Sequence, residues 1–204
     1  MKVEAERENF YQLNWLDIFM VGHKGFIAGG CFKNIFNGQK VKDLDIFFEN
    51  QRDFDEAILY YDEISGENGD QEFRFYYENE NVKAYKHQSG ITIELCQKVF
   101  GTPKEIISNF DFTICKFAYY KKNEENSLGY AILYDDKFFE HLQLHRLVTD
   151  DKILYPMSTF ERMIRYIKYG YYPCKETKLK IAKAIHDLSD QQIEVGENLY
   201  DGMD

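Results

Sequence analysis

A glycine pair running shortly into two aspartates constrains this chain more than any other feature. Gly29-Gly30-Cys31-Phe32-Lys33-Asn34-Ile35-Phe36-Asn37-Gly38 leads to Lys42-Asp43-Leu44-Asp45-Ile46-Phe47-Phe48. Glycine lets the backbone come close to a ligand and adopt conformations closed to other residues. In an extended chain the side chains alternate, so Asp43 and Asp45 project from one side of a strand while Leu44 and Ile46 take the other. Two carboxylates about 4 Å apart repel by about 1 kcal/mol in water and by about 4 kcal/mol at an effective dielectric of about 20. A third acid adds to this, so a half-buried group of acids calls for a cation. Hard oxygen ligands select Mg²⁺ or Mn²⁺, and Mg²⁺ commonly takes one or two carboxylates together with substrate phosphates. The pattern implies a bound metal–triphosphate, with main-chain N–H groups of the glycine pair near its oxygens.

The rest of the composition narrows the classes. At 204 residues, 44% hydrophobic and with 17 Phe and 16 Tyr, the chain has enough apolar surface for one full core. The longest apolar runs, such as residues 15–21, fall far short of a membrane span. The acidic opening Met1-Lys2-Val3-Glu4-Ala5-Glu6 lacks the order of a signal peptide. A cytoplasmic protein, of a bacterium or a virus-infected host cell, is expected, with no membrane partner. Cys31, Cys96, Cys115 and Cys174 show no metal-binding or redox spacing and are expected as free thiols. The net charge of -10 opposes broad binding to a nucleic acid backbone. Residues 161–183, however, carry seven basic residues against two acidic ones, a local excess that a phosphate-rich ligand could meet.

Periodicity predicts a helix over 6–21, a strand over 26–28, a helix over 31–36, a strand over 44–49 and a helix over 54–64. A loop at 66–70 precedes a meander of strands at 73–77, 82–87 and 91–96. Thr102-Pro103-Lys104-Glu105 reads as an N-cap with proline in the first turn of a helix to 109. Strands are predicted over 112–120 and 128–134, joined by the polar loop 121–126. The remainder reads as helical, at 137–147, 159–169 and 177–188, with Pro156 and Pro173 at the breaks and an acidic tail from 187 that frays.

The order strand, Gly-Gly, helix, strand with Asp-x-Asp, then a later strand with another acid resembles the nucleotidyltransferase superfamily that includes DNA polymerase β. The details resemble the head domain of tRNA CCA-adding enzymes and bacterial poly(A) polymerases. Their Gly-Gly-x-x-Arg-Asp pattern is matched by residues 29–38, with Lys33 and Asn34 in place of Arg and Asp. Their Asp-x-Asp falls on Asp43-Leu44-Asp45. Ile91-Thr92-Ile93-Glu94 and Asp111-Phe112-Thr113-Ile114 resemble later family elements, and the helix Phe160-Glu161-Arg162-Met163-Ile164-Arg165 is similar to the arginine-rich helix after the head. Arginines that usually precede Asp-Phe-Thr-Ile are replaced by Asn109-Phe110, and no Glu-Asp-x-x-Arg base-selecting template is found.

The resemblance implies an α+β nucleotidyltransferase fold, a mixed central β-sheet flanked by helices with a C-terminal helical segment. The expected division is a catalytic domain over 1–150 and a helical segment over 151–204 packed on it. Asp43, Asp45 and Glu94 are the expected catalytic and metal residues. Gly29, Gly30, Lys33, Asn34, Asp111, Arg162 and Arg165 are the expected nucleotide contacts, Asp111 being the alternative third acid and Lys24 a weaker phosphate contact. Strand parity independently places Glu94 with Thr92 and Cys96, away from Ile91, Ile93 and Leu95. The implied activity is Mg²⁺-dependent transfer of a nucleotide from an NTP to an acceptor hydroxyl, on an RNA 3′ end such as tRNA, a protein or a small molecule, with release of pyrophosphate. Two alternatives stay open: a catalytically inactive nucleotide- or partner-binding regulator with the same fold, and a toxin or phage-defence nucleotidyltransferase. His141 and His145 stand four apart but lack the glutamate of a zinc-protease pattern, so structural roles are expected for both.

Overall fold

The strand that carries both aspartates alternates as the sequence demands. In a computed structural model describing residues 2–66, 72–122 and 129–188, Leu44, Ile46 and Phe48 are fully buried while Asp43 is exposed and Asp45 half-buried. The chain order is β1 (Lys2–Glu6), β2 (Phe26–Ala28), α1 (Cys31–Phe36), β3 (Asp43–Phe48), α2 (Gln51–Ser65), β4 (Phe73–Glu78), β5 (Val82–His87), β6 (Thr92–Phe100) and α3 (Pro103–Ser108). It continues through β7 (Phe117–Lys121), β8 (Tyr130–Asp135), α4 (Phe138–Gln143), β9 (Arg146–Leu147), α5 (Pro156–Lys168), β10 (Tyr172–Pro173) and α6 (Lys175–His186). Eight strands form one mixed sheet in the order β1-β8-β7-β2-β3-β6-β5-β4, in which β3 and β6 run parallel and the other described pairs antiparallel. This is the expected α+β architecture of a mixed sheet flanked by helices.

The two faces of the sheet are covered unequally. On one, Ile27, Leu44, Ile46, Ile93, Leu95 and Tyr85 join a large core with Phe32 of α1 and with Phe54, Ala57 and Tyr61 of α2. On the other, Phe26, Ala28, Ala118 and Leu133 meet little more than Ile106 and Ile107 of the short α3, with Phe47 and Phe110 against them. Asp43 and Asp45 share the parity of Phe47 and therefore lie on this thinly covered face. Helix α3 is fixed by a capping box: the Thr102 hydroxyl accepts from the Glu105 N–H at 3.3 Å, and the Glu105 carboxylate accepts from the Thr102 N–H at 2.8 Å. A cap of this kind stabilises by about 1 kcal/mol.

Three local expectations are corrected. Residues 6–21 do not form one α-helix: β1 extends to Glu6 and pairs with β8, and Tyr11–Met20 is a 3-10 helix. Leu13, Leu16 and Phe19 recur every third residue and are buried, which matches three residues per turn, while Trp15 and Ile18 are 36% and 54% exposed. Residues 112–120 are a strand only from Phe117. Before it, Thr113–Cys115 makes a 3-10 turn, because Phe112 bridges to Thr149 and the Thr113 N–H donates to the Val148 carbonyl at 3.0 Å. The helix over 137–147 ends at Gln143. His145 takes a positive φ of 52°, and Arg146–Leu147 pairs in parallel with Tyr172–Pro173, so Pro173 sits in a short strand rather than a bare helix break. The loops at 66–70 and 121–126, the start of the 128–134 strand and the tail from 187 fall wholly or partly outside the described residues. Among the described residues, no helix is long and apolar enough to cross a membrane.

Candidate functional site

Parallel pairing of β3 with β6 sets Asp43 opposite Thr92 and Asp45 opposite Glu94. The sequence-predicted acids thus meet on one face of adjacent strands, with Ile93 and Leu95 fully buried on the other. The electrostatic cost is visible at Asp45. Burial first, then the charges of Glu94 and Asp43, push its carboxyl up to about 7, against a smaller opposing pull from Arg162. Glu94 is also raised, chiefly by burial and in part by Asp43, while a hydrogen bond from the Tyr77 hydroxyl at 2.6 Å works the other way. Among the described residues, no group of three or more His, Cys, Asp or Glu side chains is arranged to hold a metal ion.

The glycine pair lies against these acids. Gly29 has φ +106°, and a Cβ on it would stand 3.4 Å from Asp45 Oδ2 and 3.8 Å from the Phe110 ring. Its N–H continues the sheet, donating to the Phe117 carbonyl at 3.1 Å, so Gly29 contributes space beside Asp45 and spends its amide internally. A Cβ on Gly30 would stand 3.2 Å from the Tyr166 hydroxyl of α5. Lys33, in the arginine's place of the family pattern, is turned inward. It is 6% exposed, and its ammonium lies 5.4–5.9 Å from the ring centres of Tyr166, Tyr169 and Tyr171 and bonds the Asn34 side chain. Burial lowers its pKa.

Asp111 is committed elsewhere. One oxygen accepts from Thr159 at 2.9 Å and the other from Arg162 at 2.5 Å, which ties α5 to the loop after α3. Arg162 therefore bonds Asp111 directly and acts on Asp45 only as a weak lowering charge. Arg165 is half-buried on the same helix, and Lys24 pairs with Asp53 and Glu56 of α2 at 3.2 Å each. The histidine pair does not converge. His141 Nδ1 bonds the Thr113 hydroxyl at 2.7 Å, whereas His145 stacks on Tyr171 with ring centres 5.0 Å apart. All four cysteines are free thiols. Sequence reasoning passed over Tyr77 and Tyr166, which touch Glu94 and overhang Gly30. Nothing in a chain holding 16 tyrosines singles out these two.

The mixed sheet, with its acid-bearing parallel strand pair, has the fold of CCA-adding nucleotidyltransferases, as the likeness to solved structures shows. Thermotoga maritima CCA-adding enzyme complexed with tRNA superposes with a TM-score of 0.62 at 16% identity, over 92% of this chain and 47% of that one. A CCA-adding enzyme with CTP gives 0.62 at 15%, over 96% and 49%. Residues 6–145 match the model of the Gabija anti-defense 2 family, and the chain belongs to that family. Gabija anti-defense 2 of Bacillus phage SPbetaL7 is 24% identical over 190 residues, 89% of this chain but 41% of that protein, so the chain spans about two fifths of its relative's length.

Proposed function

We propose that this chain is the nucleotide-binding part of a protein that counters the Gabija defence, and that it holds an NTP with a divalent cation at Asp43 and Asp45. The observation that carries this reading is Asp45 itself: half-buried, opposite Glu94, two residues from Asp43, with Gly29 keeping the space beside it open. Acids set together in this way raise one another's charge cost, and a hard divalent cation removes it. The donor set fits Mg²⁺ or Mn²⁺, since carboxylate oxygens are the ligands these ions prefer and triphosphate oxygens complete the shell. When bound, such an ion would neutralise phosphate charge and polarise the phosphoryl group. Asp43 and Asp45 orient the ligand from β3, while Arg162 supplies positive charge from α5. Gly30, Lys33, Asn34 and Arg165 belong to this reading as expected nucleotide contacts, Lys33 only if it leaves its tyrosine pocket, and so does the division into a catalytic unit over 1–150 and a helical segment from 151.

Binding is favoured over turnover by the internal engagements described above: the Gly29 amide, Lys33 and Asp111 are each satisfied within the protein. Transfer to a hydroxyl of an RNA, a protein or a small molecule is the second reading, supported by Glu94 standing in register beside Asp45. Calorimetry with ATP and CTP, with and without Mg²⁺, tests the first: binding that needs the cation and is lost in Asp45→Asn supports it, and no binding even with Mn²⁺ removes it. Radiolabelled NTPs with host extract test the second, label on any acceptor converting the binder into an enzyme. Rescue of a phage from Gabija by the wild-type chain but not by Asp45→Asn would join the site to the counter-defence role.

A further inference from the structure

One row of side chains crosses four strands on the thinly covered face. Tyr77 of β4 stands opposite Ala84 of β5, Ala84 opposite Glu94 of β6, and Glu94 opposite Asp45 of β3. A register shift creates this row. β4 pairs Phe75 with Tyr85, then slips by one residue, so that Tyr77 rather than Tyr76 takes the place opposite Ala84. Such a bulge re-aims side chains, and a one-residue slip moves each to the other face. The displaced Tyr76 lies on the surface, 51% exposed, with the Lys86 ammonium 4.9 Å from its ring centre. Ala84 carries only a methyl group and is fully buried, which lets the Tyr77 ring cross β5 and donate its hydroxyl to Glu94 Oε1 at 2.6 Å. A phenol-to-carboxylate bond of that length is charge-assisted.

We infer that Tyr77 withholds Glu94 from the divalent cation, leaving Asp43 and Asp45 to hold it with oxygens of the nucleotide. The inference rests on the cation site proposed above and deepens it. Tyr77 acts here as a positioning residue: it fixes the Glu94 carboxylate on the side of β5 and keeps the third acid a neighbour rather than a ligand. This accounts for three acids brought to adjacent strands without forming a closed three-ligand group among the described residues. Two carboxylates remain for the cation, enough to hold one Mg²⁺ together with oxygens of a triphosphate.

The test is a double-mutant cycle on Mn²⁺ binding to the nucleotide-free chain, read by the electron paramagnetic resonance of free Mn²⁺, with Tyr77→Phe, Glu94→Gln and the double variant beside wild type. Tyr77→Phe is expected to tighten Mn²⁺ about fivefold, the scale of one hydrogen bond no longer competing for the carboxylate. Glu94→Gln is expected to weaken binding about fivefold more in the Tyr77→Phe background than in wild type, because Tyr77→Phe has no carboxylate to release once Glu94 is gone. Equal effects of Glu94→Gln in both backgrounds, or weaker Mn²⁺ binding by Tyr77→Phe, overturn the inference. Thermal melting confirms that each variant folds, and Tyr77→Leu completes the cycle should Tyr77→Phe not. Binding that Asp45→Asn abolishes but Tyr77 variants leave alone sinks this inference only. Absence of Mn²⁺ binding from every variant, Tyr77→Phe included, also overturns the inference, since a released Glu94 would then add no ligand; the nucleotide-dependent cation site falls only if the calorimetry with NTP fails as well.

Discussion

On one side of the Gly29–Gly30 turn, Asp111 is held by Arg162 and Thr159. On the other, Asp45 faces Glu94 across the strand pair with Asp43 two residues away. Both acids are shielded from solvent, and they are treated in opposite ways. The Asp111 pair follows the pattern of the protein's interior, where buried polar groups find complementary partners. Lys116 of the loop before β7, fully buried, pairs with Asp150. His23 does the same with a neutral ring: the Gly25 N–H donates to Nδ1 at 3.0 Å, so the proton sits on Nε2 and is donated to the Phe19 carbonyl at 2.9 Å. Groups of that kind hold the fold together. The Asp45 group works against folding, and the cation site proposed above is the reason we offer for its retention.

The sharpest way to break this contrast is at the paired acid. Arg162→Met leaves the Asp111 carboxylate buried with Thr159 as its remaining partner, and a loss of about 3 kcal/mol is expected in urea unfolding. A loss below about 0.5 kcal/mol would place Asp111–Arg162 with exposed pairs that contribute little.

His23 should give an effect of similar size through pH. Burial first, opposed by its bond to Phe19 and assisted by the charge of Lys121, lowers its pKa from 6.5 to about 4. The unfolded chain therefore takes up the proton first, so stability present above pH 6.5 is lost as pH falls toward 4, by up to about 3 kcal/mol. Urea midpoints between pH 7 and 4.5 check this, and the dependence should shrink in His23→Asn.

Asp45 predicts the reverse sign. With its folded pKa above the ordinary value, its contribution to stability is full at low pH and is lost as pH rises from about 4 through 7. Asp45→Asn should then stabilise the metal-free protein by about 2 kcal/mol at pH 8 while removing cation-dependent nucleotide binding. A variant that loses both stability and binding would show Asp45 to be part of the framework, and the contrast with Asp111 would disappear.

The smallest effect is expected at Gly29. An alanine there must adopt a backbone conformation unfavourable to L-residues and bring a methyl within 3.4 Å of Asp45 Oδ2. A cost of about 1–2 kcal/mol is expected from the backbone alone, measurable as a lower melting temperature. Nucleotide affinity should fall with it if the space beside Asp45 is what the glycine preserves.

Much of the fold was legible along the chain. Residues 26–28, 31–36 and 82–87 match their elements, and alternation in 43–48 separated Leu44 and Ile46 from the acids. Where the reading failed, as at Thr113–Cys115 and at His145, the backbone answers to distant partners such as Val148, Thr149 and Tyr172, which local spacing does not encode. The helical character of Tyr11–Met20 was legible but its three-residue turn was not, because only burial separates Leu13, Leu16 and Phe19 from the exposed Trp15 and Ile18.

By itself, the sequence determined that Asp43 and Asp45 share one side of a strand behind a glycine turn, since alternation and glycine's backbone freedom are local properties. Only the tertiary structure decided what those acids meet. Parallel pairing brought Glu94 opposite Asp45, a one-residue slip in β4 carried Tyr77 to Glu94, and packing of α5 turned Lys33 beneath three tyrosines and gave Asp111 to Arg162. The physical reason is that register and helix docking are set by the sum of contacts over the whole sheet, and each moves a side chain by a full residue or to the other face without leaving a trace in the residues beside it.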